Sequence, residues 1–181
     1  MKFGIGLPLS LTDTTQILEY ARCIEALGFD SILIADHTFI EYEALSLLTA
    51  IAMKTTKVRI GTMVLDGNRR PPALLAHTTA TLDRISHGRL IVGIGKGVFN
   101  DASYGFTISR PVTRMVEIIQ ILKKLWTSDK VTFTGDFFQL QECSIAAKPI
   151  QDPNPPLWIA SFGKRMHRIA VTLADGFITQ N

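Results

Sequence analysis

The stretch Ser31-Ile32-Leu33-Ile34-Ala35-Asp36-His37 decides the fold and also points to a site. Its first five residues are small or apolar, which is typical of a buried strand in a parallel sheet. The strand then ends on a carboxylic acid and an imidazole. Because the C-terminal ends of the strands carry the chemistry in a barrel of parallel strands, Asp36 and His37 are candidate catalytic residues.

Apolar strands followed by helices recur along the chain, and the first four strands begin about 30 residues apart, the period of a β-strand with its crossover helix. This alternation predicts a parallel sheet covered by helices. Six such units fit into the 181 residues, whereas eight units close a (β/α)8 barrel. The predicted strands are Lys2–Leu7, Ser31–Ala35, Val58–Leu65, Leu90–Ile94, Leu157–Ala160 and Gly176–Ile178, and the predicted helices are Thr14–Leu27, Glu43–Lys54, Pro72–Ile85, Thr113–Thr127 and Lys164–Leu173.

The pattern changes between the fourth and fifth units. Val131–Phe133 and Phe137–Leu140 flank Thr134-Gly135-Asp136, which predicts a small hairpin. A Pro-rich connection, Lys148–Pro156, then leads back to the repeating pattern. The fold class is therefore α/β, an incomplete TIM-barrel-like (β/α)8 domain with a hairpin insertion before the fifth strand.

Composition excludes several classes of function. The net charge is only +3, with 19 Lys and Arg against 16 Asp and Glu, so no nucleic-acid partner is predicted. The densest basic spots, Arg69-Arg70 and Lys123-Lys124, are predicted to be solvated faces or helix ends. Cys23 and Cys143 are far apart and lack CxxC spacing, which favours a reducing, cytoplasmic location. No apolar run has the length of a membrane span.

Six motifs in order resemble the luciferase-like monooxygenase family, in particular its deazaflavin-dependent branch, which includes methylene-tetrahydromethanopterin reductase. The likeness extends over the whole chain. It is carried by Gly28-Phe29-Asp30-Ser31 leading to Ala35-Asp36-His37, Val58-Arg59-Ile60-Gly61-Thr62, Ala80-Thr81-Leu82-Asp83-Arg84-Ile85-Ser86-His87-Gly88-Arg89, Gly93-Ile94-Gly95, Pro155-Pro156-Leu157-Trp158-Ile159-Ala160 and Ala174-Asp175-Gly176.

The resemblance implies an eight-stranded barrel with an insertion before the fifth strand, where the predicted hairpin lies. Family members are much longer than this chain. Residues 1–181 are therefore expected to form a single domain that holds the first six units and is truncated at its C-terminus.

The resemblance also implies a coenzyme, the deazaflavin F-420. It places His37 on the substrate side of the coenzyme ring and Asp36 beside the ring. It further implies that Gly61, Thr62, Met63 and Val64 back the ring at a strand bulge, with a cis peptide bond between Met63 and Val64. The alternative from the residues alone is an ordinary buried strand.

Other candidate contacts lie at the ends of the fourth and fifth strands. Gly93-Ile94-Gly95 does not complete a dinucleotide-binding motif, because Val98 occupies the place of the third glycine. The resemblance assigns Gly95 to the coenzyme and Lys96 and Asn100 to the substrate. Backbone groups after the fifth strand are suited to hold coenzyme oxygens, and the candidates there are Ala160, Ser161 and Gly163.

The predicted function is therefore that of an oxidoreductase that transfers a hydride between a deazaflavin and a small organic substrate. An FMN-dependent monooxygenase of the same family is one alternative. A truncated, non-catalytic barrel fragment that needs a partner is another, since the family holds the coenzyme phosphate largely with its last strands. His77, His87 and His167 share no spacing with acids or cysteines, so no metal site is predicted.

A homodimer is predicted from two helices. The helix Glu43–Lys54 is apolar nearly all round, which indicates that it is covered on more than one side. In a single outer layer of helices the extra cover would come from a second subunit. The small-residue helix at 72–85 is expected to contribute to the same interface.

Overall fold

The computed structural model describes residues 1–8, 10–37, 40–97, 105 and 107–179. Within these ranges the chain alternates strands and helices, with one 3-10 helix at Gly67–Arg69. The strands are β1 (Gly4–Gly6), β2 (Ser31–Ile34), β3 (Arg59–Thr62), β4 (Leu65–Asp66), β5 (Leu90–Gly95), β6 (Val131–Thr134), β7 (Gln139–Cys143), β8 (Leu157–Ala160) and β9 (Gly176–Ile178). The helices are α1 (Thr14–Ala26), α2 (Ala44–Lys54), α3 (Pro72–Ile85), α4 (Pro111–Thr127) and α5 (Gly163–Leu173).

The main sheet is parallel throughout. β1, β2, β3, β5, β8 and β9 lie side by side in that order, and β4 continues β3 along β5. The strands thus follow one another in space as they do in sequence, which is how a (β/α)8 barrel winds. Among the described residues β1 and β9 each pair with a single strand, so the sheet is an incomplete barrel. The predicted fold class is confirmed.

The core lies between this sheet and its helices, and β5 is at its centre. All six residues of β5 are buried, because β3 and β4 flank it on one side and β8 on the other. Helix α4 packs against α3 with a continuous buried face, and the indole N–H of Trp126 donates to the carbonyl of Ala76 at 3.2 Å. Burial of each such large apolar side chain stabilises the fold by about 1.5–3 kcal/mol.

Helix α1 shows how local sequence sets the boundaries of an element. Asp13 caps its N-terminus, since a side-chain oxygen accepts the backbone N–H of Gln16 at 2.8 Å. Ile17, Ala21 and Ile24 repeat at helical spacing and form its buried face. Gly28 follows with φ of +82°, the left-handed conformation in which helices often end.

Helix α2 gains its cover from its own chain. Leu47 is 8% exposed and Ile51 is fully buried within the single chain. The reason is that α2 packs between α1 and α3 and also against β3, so both flanks have neighbours. The cover that the sequence analysis assigned to a second subunit is therefore present without one, and the homodimer stays a prediction.

Three element boundaries differ from the sequence-based expectation. The first strand is shorter than Lys2–Leu7 because it pairs on one side only, although the N–H of Leu7 still donates to Leu33 O at 2.8 Å. The third strand is interrupted at Met63 and Val64, which divide it into β3 and β4. Helix α4 begins two residues earlier than predicted, at Pro111, since proline is well tolerated in a first helical turn.

The predicted hairpin is present as β6 and β7, with its second strand displaced to Gln139–Cys143. It is attached to α4 by the buried carboxylate of Glu117. That carboxylate accepts the backbone N–H groups of Asp136, Phe137 and Phe138 at 2.8, 3.0 and 3.2 Å. Phe137 and Phe138, which the sequence had placed in the second strand, therefore belong to the hairpin turn.

The basic residue Arg89 holds the N-terminal side of the sheet together. It is only 8% exposed, and burial lowers the pKa of its guanidinium while the charge of Glu25 opposes that effect. Its side chain donates to four backbone carbonyls and one hydroxyl at 2.6–2.9 Å, those of Ser86, Val58, Ala52 and Thr55 together with the Thr55 hydroxyl. One side chain thus joins the segments before β3 and β5.

Replacing this arginine should destabilise the protein strongly. We expect Arg89→Met to lower the free energy of unfolding by about 3 kcal/mol, because several buried carbonyls lose their donor. Arg22→Met is the matched control: Arg22 is 60% exposed and pairs only with Glu19, so a change within about 0.5 kcal/mol is expected. Urea denaturation of the two variants measures the difference, and equal stabilities would contradict this role of Arg89.

Candidate functional site

A cleft of about 620 Å³, open to solvent on one side, lies at the C-terminal ends of the parallel strands. The segments that follow β2, β4, β5 and β8 all reach it, as expected for this topology. The lining residues are Asp36, His37, Val64, Leu65, Asp66, Arg69, Gly95, Lys96, Gly97, Ala160, Phe162 and Met166.

The wall of the cleft contains a one-residue bulge between β3 and β4. Gly61 pairs with Ile91 and Leu65 with Ile94, so four steps along one strand match three along its neighbour. The peptide bond between Met63 and Val64 is cis, as predicted. Val64 lines the cleft, whereas Met63 does not and is 40% exposed.

Two hydrogen bonds hold the strand as it enters the bulge. The Thr62 hydroxyl donates to the carbonyl of Gly93 at 2.6 Å, and the N–H of Met63 donates to that of Ile34 at 2.6 Å. Thr62 is buried and Gly61 packs against Ile91, so both lie behind the cleft. Gly61, Thr62 and Met63 therefore support the position of Val64.

Asp36 is held by the arginine that follows the 3-10 helix. The two terminal nitrogens of Arg70 donate to its two carboxylate oxygens at 2.7 and 2.9 Å, and the N–H of Asp66 donates to it at 3.0 Å. Arg70 also donates to Glu43 at 2.6 Å. Burial alone would lower the pKa of Arg70, but the carboxylates of Asp36 and Glu43 raise it above its usual range. These hydrogen bonds hold the Asp36 carboxylate in place, so Asp36 is suited to position His37 and Arg70 beside it.

His37 lies next to Asp36 and lines the cleft as a half-buried side chain. Its backbone carbonyl accepts the N–H of Ile40 at 3.1 Å, which turns the chain away after β2. His37 is the cleft side chain whose ordinary titration range lies near neutral pH.

A second acid–arginine pair forms another part of the wall. Asp66 and Arg69 are 5% and 10% exposed, and Nε of Arg69 lies 2.9 Å from Oδ2 of Asp66. Burial raises the pKa of the Asp66 carboxyl, and although Arg69 opposes this shift, it does not cancel it. Gly97 packs directly on this carboxylate, since a Cβ there would lie 2.4 Å from Oδ2.

The far side of the cleft is apolar. It is lined by Ala160 at the end of β8, by Phe162 just before α5 and by Met166 within α5. Ser161 is buried behind them, and its N–H donates to the carbonyl of Ile178 at 2.9 Å. Among the described residues the Ser161 hydroxyl has no hydrogen-bond partner. Gly163 is the first residue of α5 and does not line the cleft.

Six of the residues predicted from the sequence thus come together in one cleft, namely Asp36, His37, Val64, Gly95, Lys96 and Ala160. Gly61, Thr62, Met63, Ser161 and Gly163 lie behind or beside it. Asn100 lies outside the described residues. In the part of the chain that the structure describes, no three His, Cys, Asp or Glu side chains are grouped as metal ligands would be.

The sequence analysis missed Asp66, Arg69 and Arg70. It read Arg69-Arg70 as a solvated face, but the two side chains are only 10% and 20% exposed. Their place in the sequence could have revealed them, because all three follow within six residues of Val64, just after the C-terminal end of a predicted strand. Phe162 and Met166 were missed although they adjoin the predicted Ala160 and Gly163.

Known proteins resemble this chain in sequence. The family model described as luciferase-like monooxygenase matches residues 1–181. The chain belongs to this family. It is 34% identical to the F-420-dependent glucose-6-phosphate dehydrogenase of Amycolatopsis mediterranei, covering 98% of this chain and 57% of that protein. It is 31% identical to the 5,10-methylenetetrahydromethanopterin reductase of Archaeoglobus fulgidus, covering 98% and 52%.

A solved structure gives the same result for the fold. An F-420-dependent secondary alcohol dehydrogenase, in complex with an F-420–acetone adduct, superposes with a TM-score of 0.87 at 31% identity. The match covers 98% of this chain and 57% of that one. The chain thus spans about half the length of the relatives it matches. No helix among the described residues is both long and apolar enough to cross a membrane.

The Glu43 contact leads to a pH-dependent stability. Burial raises the pKa of Glu43, but hydrogen bonds from Ser46 and Arg70 outweigh this and leave it below its ordinary 4.5. A lowered pKa stabilises the fold above the unfolded value, and this contribution is lost as the pH falls through the folded value. We expect Glu43→Gln to cost about 1 kcal/mol at pH 7, since Glu43 also caps α2.

Urea denaturation from neutral to acidic pH tests this expectation. The difference between wild type and Glu43→Gln should shrink once the pH is below 4.5. Glu19→Gln is the control, because Glu19 is 62% exposed and pairs only with Arg22. A difference that is independent of pH would show that the charge of Glu43 is not involved.

Proposed function

We propose that this cleft holds the deazaflavin coenzyme F-420 and that the protein transfers a hydride between the coenzyme and a small organic substrate. The observation that carries the proposal is one cleft that joins an apolar wall around Val64 and Ala160 to a half-buried His37. The F-420 dependence of the glucose-6-phosphate and alcohol dehydrogenase relatives supports the choice of a deazaflavin.

The residues present fit a planar ring. Most of the lining is apolar, and a flat aromatic system gains stability from contact with such a surface. Gly95 keeps the wall flat: a Cβ at this position would lie 2.7 Å from Cγ2 of Val64 and would project toward the same space. Val64, Gly95 and Ala160 are the residues that would hold the ring.

The coenzyme, when bound, supplies the chemistry of hydride exchange. The protein positions both reactants and exchanges the accompanying proton. His37 is the group suited to donate or accept that proton at the substrate, since an imidazole titrates near neutral pH. Asp36, held by Arg70, fixes the strand end from which His37 projects. Phe162 and Met166 add apolar surface on the opposite side of the cleft.

A titration with both coenzymes separates the proposal from its two alternatives. An FMN-dependent monooxygenase would use the same apolar wall, and a non-catalytic partner-dependent protein would bind neither coenzyme by itself. Absorbance and fluorescence of the purified chain with F-420 and with FMN distinguish the three. Binding of F-420 in preference to FMN supports the proposal, and binding of neither contradicts it for the 181-residue chain.

Filling the space in front of Val64 should weaken coenzyme binding. We expect Gly95→Val to weaken the affinity for F-420 by about tenfold or more, equivalent to about 1.4 kcal/mol, because its side chain occupies the ring position. Ala146→Val is a control that adds the same atoms at an exposed loop position. Fluorescence titration gives both dissociation constants. Equal affinities in the two variants would place the ring elsewhere.

We also propose that two copies associate through α2 and α3. A groove of about 670 Å³ runs between these helices, and Leu74 on its edge is 63% exposed. An exposed leucine beside a groove is suited to pack against the same surface of a second copy. Cytoplasmic location is a further prediction that rests on the two separated cysteines and is tested by cell fractionation.

A charge placed on this surface should separate the copies. We expect Leu74→Asp to yield a monomer where the wild type sediments as a dimer, because the carboxylate would be buried without a partner. Val171→Asp is the control, since Val171 is 81% exposed on α5. Sedimentation velocity at matched concentrations measures the assembly. A wild type that is monomeric at micromolar concentration would contradict the proposed dimer.

A further inference from the structure

The charged side chains of the cleft wall differ in how many of their polar atoms have partners in the protein. Asp36 has both oxygens engaged by Arg70, and the Asp66 carboxylate faces Arg69 and accepts the N–H of Asn68 at 3.1 Å. Asp36 is thus committed to protein partners, whereas Oδ2 of Asp66 faces Nε of Arg69 and accepts no hydrogen bond among the described residues. Arg69, which pairs with Asp66, has N–H donors that no atom of the described residues accepts.

Arg69 uses one of its three nitrogens. Its Nε faces Asp66, whereas in the part of the chain that the structure describes Nη1 and Nη2 make no hydrogen bond. Those two nitrogens carry four N–H donors in a planar fork, the geometry that matches two oxygens of a phosphate or a carboxylate. The side chain is only 10% exposed and lines the cleft. A largely buried side chain whose fork has unused donors at the cleft wall is suited to bind an acceptor.

The fork is held rigidly from behind. Asp66 is held through its own N–H, which donates to Asp36, and Gly97 lies close to its carboxylate. Asn68, next to Arg69, donates to the carbonyls of Lys96 and Pro111 at 2.8 and 3.3 Å. Arg69 is therefore positioned before any ligand binds.

A second cation lies beside it. Lys96 also lines the cleft, and its backbone is joined to Asn68 by the hydrogen bond just described. Among the described residues its ammonium group donates to the neighbouring carbonyl of Gly97 at 3.2 Å, and the residue is exposed. Apart from Asp36, His37 and Asp66, the remaining lining is apolar, so an anion there would be screened less than in bulk water.

We propose that Arg69, positioned by Asp66 and assisted by Lys96, is the oxyanion-binding group of the cleft. It takes a phosphate or carboxylate of the molecule bound there. This inference rests on the proposed function only in placing that molecule in the cleft. The oxyanion belongs to the coenzyme or to the substrate, and the experiment distinguishes these two sources.

The primary test is calorimetric titration of the purified chain with inorganic phosphate at constant ionic strength. Wild type should bind phosphate saturably, and Arg69→Gln should weaken binding about tenfold, since charge-assisted hydrogen bonds are lost. Lys96→Gln should weaken it less, and Lys57→Gln, an exposed lysine at the opposite end of β3, should leave it unchanged. No saturable binding by wild type, or an equal affinity in Arg69→Gln, overturns the proposal.

Two further arms identify the source. If Arg69→Gln weakens F-420 but not 8-hydroxy-5-deazariboflavin, the same ring without phosphate, the oxyanion is that of the coenzyme. If phosphate binds equally well to the F-420 complex, it is that of the substrate. Should neither ring compound bind, the proposed function fails while the phosphate titration still decides the role of Arg69.

Folding is controlled independently. Circular dichroism reports whether Arg69→Gln, which leaves Asp66 without its partner, keeps the native fold. If it does not, Arg69→Lys retains the charge and loses the fork, and it should bind phosphate more weakly than wild type. A folded Arg69→Lys and Lys96→Gln that both bind phosphate as wild type does would contradict the inference.

Discussion

Strand β5 forms hydrogen bonds with two different segments along one of its edges, and this constraint determines the site. Its first residues pair with β3, and Ile94 and Gly95 pair with β4. The extra residue between the two segments lets Val64 enter the cleft while both pairings are kept. A slip of one residue would turn every side chain of the strand to the other face. The position of Val64 is thus fixed by main-chain pairing on both sides of the bulge.

The polar part of the site begins where this bulge ends. Within five residues after β4 begins, the chain supplies Asp66 and the two arginines that organise the cleft. Arg70 reaches back to Asp36 after β2 and on to Glu43 before α2. Such half-buried pairs add little net stability because desolvation offsets most of their attraction. Their value here is geometric, since each pair orients a side chain at the cleft.

The sequence predicted the order of strands and the strand ends that meet, because hydrophobic spacing and the period of βα units are local signals. It predicted Asp36 and His37 for the same reason. It did not reveal that Arg69 and Arg70 are buried, since two consecutive arginines resemble a solvated face in any sequence window. Arg70 is buried by Asp36, which lies 34 residues earlier, and no local pattern reports that contact.

Boundaries were less predictable than topology. The tip of the hairpin moved because Glu117, on a different element, holds residues 136–138 by their backbone N–H groups. The flanking residues had suggested that Phe137 begins a strand. A carboxylate on α4 prevailed over this local preference, since three charge-assisted hydrogen bonds outweigh a weak tendency to extend.

That mode of attachment bears on how the hairpin evolves. Glu117 contacts main-chain atoms, which are the same for every residue type except proline. The side chains at positions 136–138 are therefore free of selection by this contact. Gly135 is the exception, since a Cβ there would lie 2.3 Å from the carboxylate. Substitutions elsewhere in this turn are therefore compatible with the same docked orientation, provided that the acid at 117 and the glycine at 135 are kept.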